Sequence, residues 1–185
     1  MAEYYLISQL PSLDGLSENA PMPITEERFF ELCECFLSKK LQEELRNLKL
    51  MPSRDYEKSN SSLVEKWNDG ERKLRLVLAK ARADKMKKQF EMNENSVPVE
   101  LQQAVREAVE IENPMEAEKF LNKYRLDFLE SLRPMDSFSE DFVFYYGLKL
   151  KLISRMKQFN ADIGEAAYKN IYNSIINGER LEAIQ

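Results

Sequence analysis

Few residues of this chain could do acid–base, nucleophilic or metal chemistry, and their spacing is unfavourable for it. Two cysteines are present, Cys33 and Cys35, and histidine is absent from all 185 residues. Without histidine the chain cannot build a Ser-His-Asp or Cys-His site, and two cysteines are too few for a structural zinc site. Side chains two apart on a helix point about 200° away from each other. We therefore expect two reduced thiols, with Cys33 buried and Cys35 more exposed.

Lys149 is the remaining candidate for chemistry. On a helical wheel it falls between two apolar stripes, where an ammonium group needs carboxylates around it. The candidate partners on the preceding predicted helix are Glu116, Glu118 and Glu130. We predict a structural ion pair at Lys149. The competing interpretation is a catalytic lysine in an enzyme, which would require a deep polar pocket around Lys149 or around residues 112–118.

Acidic pairs do not add a catalytic site. Glu26 with Glu27, and Glu140 with Asp141, stand at predicted helix starts, where the helix dipole favours carboxylates. The sequence contains no phosphate-binding or dinucleotide-binding glycine motif, no calcium-binding loop and no nucleophile elbow. We therefore expect a non-catalytic protein with no metal, no cofactor and no small-molecule substrate.

The elements that carry these residues are predicted to be helices. Glycine supplies only 5 of 185 residues, while apolar residues make up 43% and include ten Phe and eight Tyr. So little glycine disfavours sandwiches and barrels, and so many aromatic residues exclude a disordered chain. The longest apolar run, residues 142–148, is too short for a membrane span, and no basic segment indicates a signal peptide. We predict a single helical domain over residues 1–185, located in the cytoplasm.

Apolar spacing and capping residues predict an all-α bundle of six or seven helices. The clearest signal begins with Ser62-Leu63-Val64-Glu65, a capping box, and continues with apolar or small residues four and three apart. It predicts a long helix over 63–90, with Gly70 on its contact face, as one arm of a central antiparallel hairpin. Asn113-Pro114 predicts the start of another helix.

The two ends of the chain are less regular. Residues 1–24 are expected to be an extended or briefly helical segment that packs on the bundle. Residues 142–159 carry two apolar stripes, which indicate a largely buried helix. The last helix is predicted over 161–176, because Asn177-Gly178 is typical of a helix end.

Two neighbouring segments carry opposite charge. Residues 72–88 hold eight basic residues and one acidic residue, a net +7, and residues 91–119 hold eight Glu and two basic residues, a net −6. The segments could pair with each other or face complementary partners. No nucleic-acid-binding motif accompanies the basic segment, so nucleic acid is not an expected partner. The basic segment is therefore either a solvated helix face or a protein interface. The candidate interface residues are Lys73, Arg75, Lys80, Arg82, Lys87 and Lys88.

Several stretches, taken together, resemble a bacterial family. They are residues 4–11, the segment from Trp67 to Arg72, the helix start from Asn113 to Glu118, and residues 146–155, which read YGLKLKLISR. Their order and spacing across the chain resemble DUF2764, a family of uncharacterised domains.

The resemblance implies a non-catalytic, all-helical protein similar to a shortened form of the C-type, or d-type, subunit of the V-type rotary ATPase. Its role would be a socket that joins the central stalk to the membrane rotor ring and couples ATP turnover to proton or sodium transport. Its location would be peripheral to the inner membrane, through the complex. Lys149 and Arg155 match the family motif and would be structural, in ion pairs with Glu116 and Glu118. The alternative is a free-standing cytoplasmic helical adaptor.

Overall fold

Eight helices account for most of the described part of the chain, which in the computed structural model comprises residues 2–16, 20–53, 59–92, 97–158 and 161–182. No strand occurs within these ranges, so the predicted all-α fold is confirmed, with eight helices in the described residues where six or seven were predicted. In chain order the helices are α1 (Ala2–Gln9), α2 (Glu26–Phe36), α3 (Lys39–Arg46), α4 (Ser62–Lys85), α5 (Val99–Glu110), α6 (Pro114–Ser131), α7 (Glu140–Gln158) and α8 (Ala161–Glu182).

Side-chain caps begin five of these helices. A capping oxygen satisfies backbone N–H groups that the first turn leaves unpaired, and α2, α3, α4, α6 and α7 each have one. The caps are Thr25, Ser38, Ser61, Asn113 and Ser139. The cap of α4 therefore lies one residue before the predicted Ser62. Asn113-Pro114 begins α6 as predicted.

Two helix ends differ from the prediction. α4 ends at Lys85, before the expected end at residue 90, because Lys87 adopts left-handed backbone with φ 55° and the Lys88 N–H reaches Ala83 O at 2.9 Å. This is a Schellman stop, which glycine usually forms, so the residue types here do not indicate it. α8 continues through the predicted stop at Gly178 to Glu182, because Gly178 keeps helical backbone.

α7 lies at the centre of the bundle. All its residues from 143 to 150 are buried, as the two apolar stripes predict. α6 packs against α7 in the opposite direction, since Tyr145 contacts Glu130 whereas Arg155 contacts Glu118. α1, α2 and α4 pack on its other sides.

The long helix α4 has a parallel neighbour in α5 and an antiparallel one in α6. Lys85 Nζ, at the end of α4, donates to Val109 O at the end of α5 (3.2 Å). From there α6 returns along α4, and Arg125 reaches Glu71. α4 therefore has an antiparallel partner within the chain, but the predicted central hairpin is wrong, because α5 separates α4 from α6 in the chain and α7 occupies the centre.

The N-terminal segment lies along α7 and begins with a short helix, one of the two conformations predicted for it. α1 buries Leu6, and the ring of Tyr4 packs on Phe138 with 4.8 Å between centroids. Further along, Pro11 O accepts a hydrogen bond from Tyr146 OH (2.8 Å). No strand of the described chain lies beside residues 2–9, so a helix is the conformation that pairs their backbone groups.

Two apolar clusters form the core, and a polar layer separates them. The larger joins α1, α2, α3, α7, the start of α4 and the end of α6 around Trp67. The smaller joins the second half of α4 to α5 and the first half of α6 around Val105. Between them α4 and α6 bury polar side chains. This polar layer consists of Asn68, Glu71, Asn122 and Arg125.

Candidate functional site

A buried ion pair is the centre of the polar layer. Arg125 Nε and Nη2 donate to the two carboxylate oxygens of Glu71 at 3.0 and 3.1 Å, a bidentate arrangement. The two side chains are only 7% and 2% exposed. Arg125 Nη1 also donates to Asn122 Oδ1 at 3.0 Å. The guanidinium therefore joins α4 to α6 at one fixed register.

Glu71 and Arg125 were not predicted as site residues, although their positions in the sequence indicate burial. Arg125 stands four residues after Leu121 and four before Leu129, both buried, and Glu71 stands between Trp67 and Leu74. A charged residue at a core-facing position of each of two packed helices indicates a buried pair. The same signal identified Lys149 on α7.

Glu118 extends the network from α6 to α7. Its Oε1 accepts hydrogen bonds from Arg155 Nη2 at 2.8 Å and from Arg125 Nη1 at 3.4 Å. The structure thus brings together Arg155 and Glu118, two of the predicted ion-pair residues. Glu116 lies elsewhere, on the exposed side of α6, where it is 3.6 Å from Lys119.

Lys149 occupies a second buried site with carboxylates from two elements. Its side chain is 5% exposed, and its Nζ contacts Asp14 and Glu130, the latter at 2.5 Å. Tyr145 OH lies 3.3 Å from Nζ and donates to Glu130 Oε2 at 2.6 Å. Glu130 was one of the predicted partners. Asp14 was not, because it lies in an irregular segment 135 residues away.

The pKa values at this site fit a fixed ion pair. Burial lowers the pKa of Lys149, but hydrogen bonds with Asp14 and Glu130 outweigh it, so the net shift is upward. The hydrogen bond from Lys149 lowers the pKa of Asp14. Burial, and then the hydrogen bond to Glu130, raise the pKa of Tyr145 to about 12. Lys149 is therefore held as a cation, whereas an amine nucleophile needs a depressed pKa.

The cysteines and acidic groups show no metal site in the described residues, where no cluster of three potential ligands occurs. Cys33 is buried and Cys35 is exposed, as predicted from their spacing. Burial raises the pKa of the Cys33 thiol to about 12, so this thiol stays protonated and inert.

A groove of about 240 Å³ lies where α4, α5 and α6 meet. Gly70 and Phe128 line it, as do Lys66, Lys73 and Tyr124. The ring of Phe128 lies against Gly70, where an added Cβ would be 2.3 Å from the ring. The close approach predicted at Gly70 is therefore made by a side chain. Neither Lys149 nor residues 112–118 line this groove.

The six predicted interface cations lie along α4 and just after it. Lys73 pairs with Asp69 at 2.7 Å, and Arg75 donates to Pro52 O at 3.1 Å. Lys80 is half-buried, whereas Arg82 is exposed. Two more, Lys87 and Lys88, are exposed beyond the end of the helix. The cations are thus on the surface, and some are also tied to neighbouring groups of this chain.

α8 presents an exposed apolar face that was not predicted. Tyr168, Ile171, Tyr172 and Ile175 are each between 51 and 66% exposed. They recur at helical spacing, so they form one stripe, which we call the α8 stripe, and Tyr168 stacks on Tyr172 with 6.0 Å between centroids. Side chains 164–175 are all exposed, and no helix of the described chain packs extensively on α8.

No described helix combines the length and the apolar character needed to cross a bilayer. Together these features define an all-helical protein in which buried ion pairs between side chains connect the helices. Both basic and apolar helix faces are exposed on its surface.

Part of the chain is similar to a known protein family. The model of DUF2764, described as a protein of unknown function, matches residues 88–179, from just after α4 into α8. This match supports the DUF2764 family for the chain. It does not support the resemblance to a V-type ATPase component. No curated protein and no solved structure matches the chain.

Proposed function

We propose that the chain is a non-catalytic subunit of a V-type rotary ATPase, where it joins the central stalk to the membrane rotor ring. The sequence resemblance motivates this assignment, and the DUF2764 match over residues 88–179 is in accord with its family component. In this role the protein stays peripheral to the membrane and contributes to coupling between ATP turnover and proton or sodium transport without reacting itself.

The α8 stripe is the observation that carries a role within a larger complex. Burying a large apolar side chain is worth about 1.5–3 kcal/mol, and four such side chains on α8 are left to water. Contiguous exposed apolar patches mark interaction sites. A helix of this kind is expected in a protein that functions when a partner covers it.

The buried charges support the mechanical part of the proposal. Arg125 and Glu118 connect α4, α6 and α7 in one network, and a buried ion pair is costly to break, by about 3–5 kcal/mol when one partner is lost. A part that transmits torque must keep its helices from sliding past one another. The network gives the bundle that resistance.

Co-purification from native membranes tests the proposal. Tagged wild-type protein should retain the catalytic and central-stalk subunits of the rotary ATPase at low and moderate salt. Ile171→Asp places a charge in the α8 stripe and should strongly reduce this recovery. Asn170→Asp makes a similar change on the opposite, equally exposed face of α8 and should leave recovery unchanged.

Absence of ATPase subunits from the wild-type sample would overturn the assignment. Soluble partners in their place, lost in Ile171→Asp and kept in Asn170→Asp, would identify a free-standing helical adaptor instead. Equal recovery of the ATPase with both variants would leave the complex correct but would refute the role of α8.

A further inference from the structure

A second exposed face, on α4, has the pattern of an unpartnered coiled-coil strand. Leu76, Ala79, Ala83 and the C-cap residue Met86 are spaced three, four and three apart, the spacing of a coiled-coil seam. Leu76 is 48% exposed and Met86 is 60% exposed, with the two alanines half-buried between them. The seam therefore faces outward, away from the apolar cluster around Val105.

Cations flank this seam on both sides. Lys73 and Lys80 lie seven residues apart along one side, and Arg75 and Arg82 lie seven apart along the other. These are the e and g positions of the heptad, which set partner choice in coiled coils through charge. Because all four are basic, the face selects against a partner helix that is itself basic at its flanks.

We propose that this face of α4 binds an acidic amphipathic helix of a partner protein. The partner's apolar residues pack on Leu76 and Met86, and its Asp or Glu side chains pair with the flanking cations. The alanines between Leu76 and Met86 let the two backbones approach closely. This binding does not depend on the rotary ATPase assignment.

The neighbouring helix favours a protein partner over a polyanion. α5 runs beside α4 and exposes Glu100, Glu107 and Glu110. Packed helices are about 8–10 Å apart, close to the Debye length at physiological salt. Nucleic acid or an anionic membrane on α4 would also meet these carboxylates. A single helix, about 10 Å wide, contacts α4 without covering α5, so it meets less of that repulsion than a polyanion does.

The charges also favour a different protein over a second copy of this chain. The exposed side of α5 is acidic but carries only Val99 as a large exposed apolar residue. The α8 stripe is apolar, but its neighbours Glu165 and Lys169 pair with each other at 2.5 Å and leave no net charge beside it. Neither helix combines a seam with acidic flanks.

Binding of a designed peptide to the full chain tests the proposal. The probe is a labelled helical peptide of about four heptads, with Leu at seam positions and Glu at the flanks, measured by fluorescence anisotropy. Wild type should bind it, and affinity should fall as salt rises. Lys80→Glu with Arg82→Glu should weaken binding by about tenfold or more. Lys39→Glu with Lys40→Glu, an equal charge change on exposed residues of α3, should change it by less than about twofold.

The seam has its own matched pair of variants. Leu76→Asp should abolish binding of the peptide, whereas Val99→Asp, at an exposed valine of α5, should not. Circular dichroism of each variant verifies that the fold is kept, as expected for exposed positions.

Three outcomes would overturn the proposal. Equal binding of the same peptide with Lys at its flanks would show that charge does not select the partner. Equal losses in the α4 and α3 variants would show a non-specific effect of net charge. Tighter binding of a DNA duplex, or of anionic lipid vesicles, than of the acidic peptide would assign the face to a polyanion.

Discussion

Glu71 and Arg125 show how single residues fix the arrangement of helices in this protein. Two ions removed from water gain little net stability, because desolvation offsets most of their attraction. The pair instead fixes the position of α6 along α4. If α6 moved by one turn, about 5.4 Å, the guanidinium and the carboxylate would both lose their partner. The pair therefore penalises every register except the native one.

Arg125→Met should lower the free energy of unfolding by about 3–5 kcal/mol, because it leaves the Glu71 carboxylate buried without a cation. Adding Glu71→Leu should recover most of this loss. Urea denaturation measures both. Arg28→Met provides the control, since Arg28 and Glu31 form an exposed pair worth less than about 1 kcal/mol. A double variant as unstable as the single one would contradict this account.

Asp14 should make stability sensitive to acid. Its folded-state pKa is lowered by Lys149, so its contribution is present above the unfolded-state pKa, about 3.9, and is lost as pH falls through the lower folded value. Asp14→Asn should therefore flatten the loss of stability over this acid range. Denaturation at a series of pH values measures it. An acid limb with the wild-type slope in Asp14→Asn would show that the contact with Lys149 is not kept in solution.

At the scale of elements, the sequence predicts helix starts better than helix ends. Asn113-Pro114 identifies the start of α6 because the cap and the proline act locally. The end of α4 depends on a left-handed Lys87, which its residue type does not favour. Gly178 shows the opposite error: Asn177-Gly178 predicts a helix end, but the helix continues through it.

Gly70→Ala and Gly164→Ala should have opposite effects on stability. An alanine Cβ at position 70 would be 2.3 Å from the Phe128 ring, which stacks on Trp67, so overpacking should cost about 1–3 kcal/mol. At position 164 nothing lies within 4 Å, and the higher helix propensity of alanine should raise the helicity of α8.

Thermal unfolding and circular dichroism measure the pair of glycine variants. Phe128→Leu combined with Gly70→Ala should recover part of the loss, because the smaller side chain leaves room for the new methyl group. A Gly70→Ala protein at least as stable as wild type would mean that Phe128 moves aside without cost.

At the scale of the whole molecule, the two apolar clusters differ in strength. The larger contains 22 buried residues and the smaller contains seven, and the polar layer lies between them. Local opening is easiest where few apolar contacts hold an element. α5 belongs to the smaller cluster alone, whereas α7 lies in the larger.

Native-state hydrogen exchange should therefore show α5 opening before α7. Amides of residues 101–110 should exchange at lower free energy than those of residues 143–153, as measured by mass spectrometry of peptides from each helix. α6, which contributes to both clusters, provides the internal comparison and should be intermediate. Equal protection of α5 and α7 would mean that the bundle opens only as a unit.

The candidate surfaces were predictable in part, because some of their residues are indicated by local composition and spacing, as the helix starts are. The basic residues of α4 are evident from composition, and Lys149 from its place between apolar stripes. Their partners were harder to predict. Asp14 comes from an irregular segment, and the seam on α4 is recognised only when Leu76 is known to face outward. Both facts depend on tertiary packing, which local patterns do not specify.

The N-terminal segment along α7 has a consequence for synthesis of the protein on the ribosome. Pro11 and Asp14 contact Tyr146 and Lys149, each pair 135 residues apart. A nascent chain emerges from its N-terminus, so α1 and α2 leave the ribosome long before the helix that covers them. At about 5–20 residues per second, α7 is synthesised roughly 6–27 seconds after Leu6 and Phe29. During that interval the nascent chain exposes the apolar surface that holding chaperones bind.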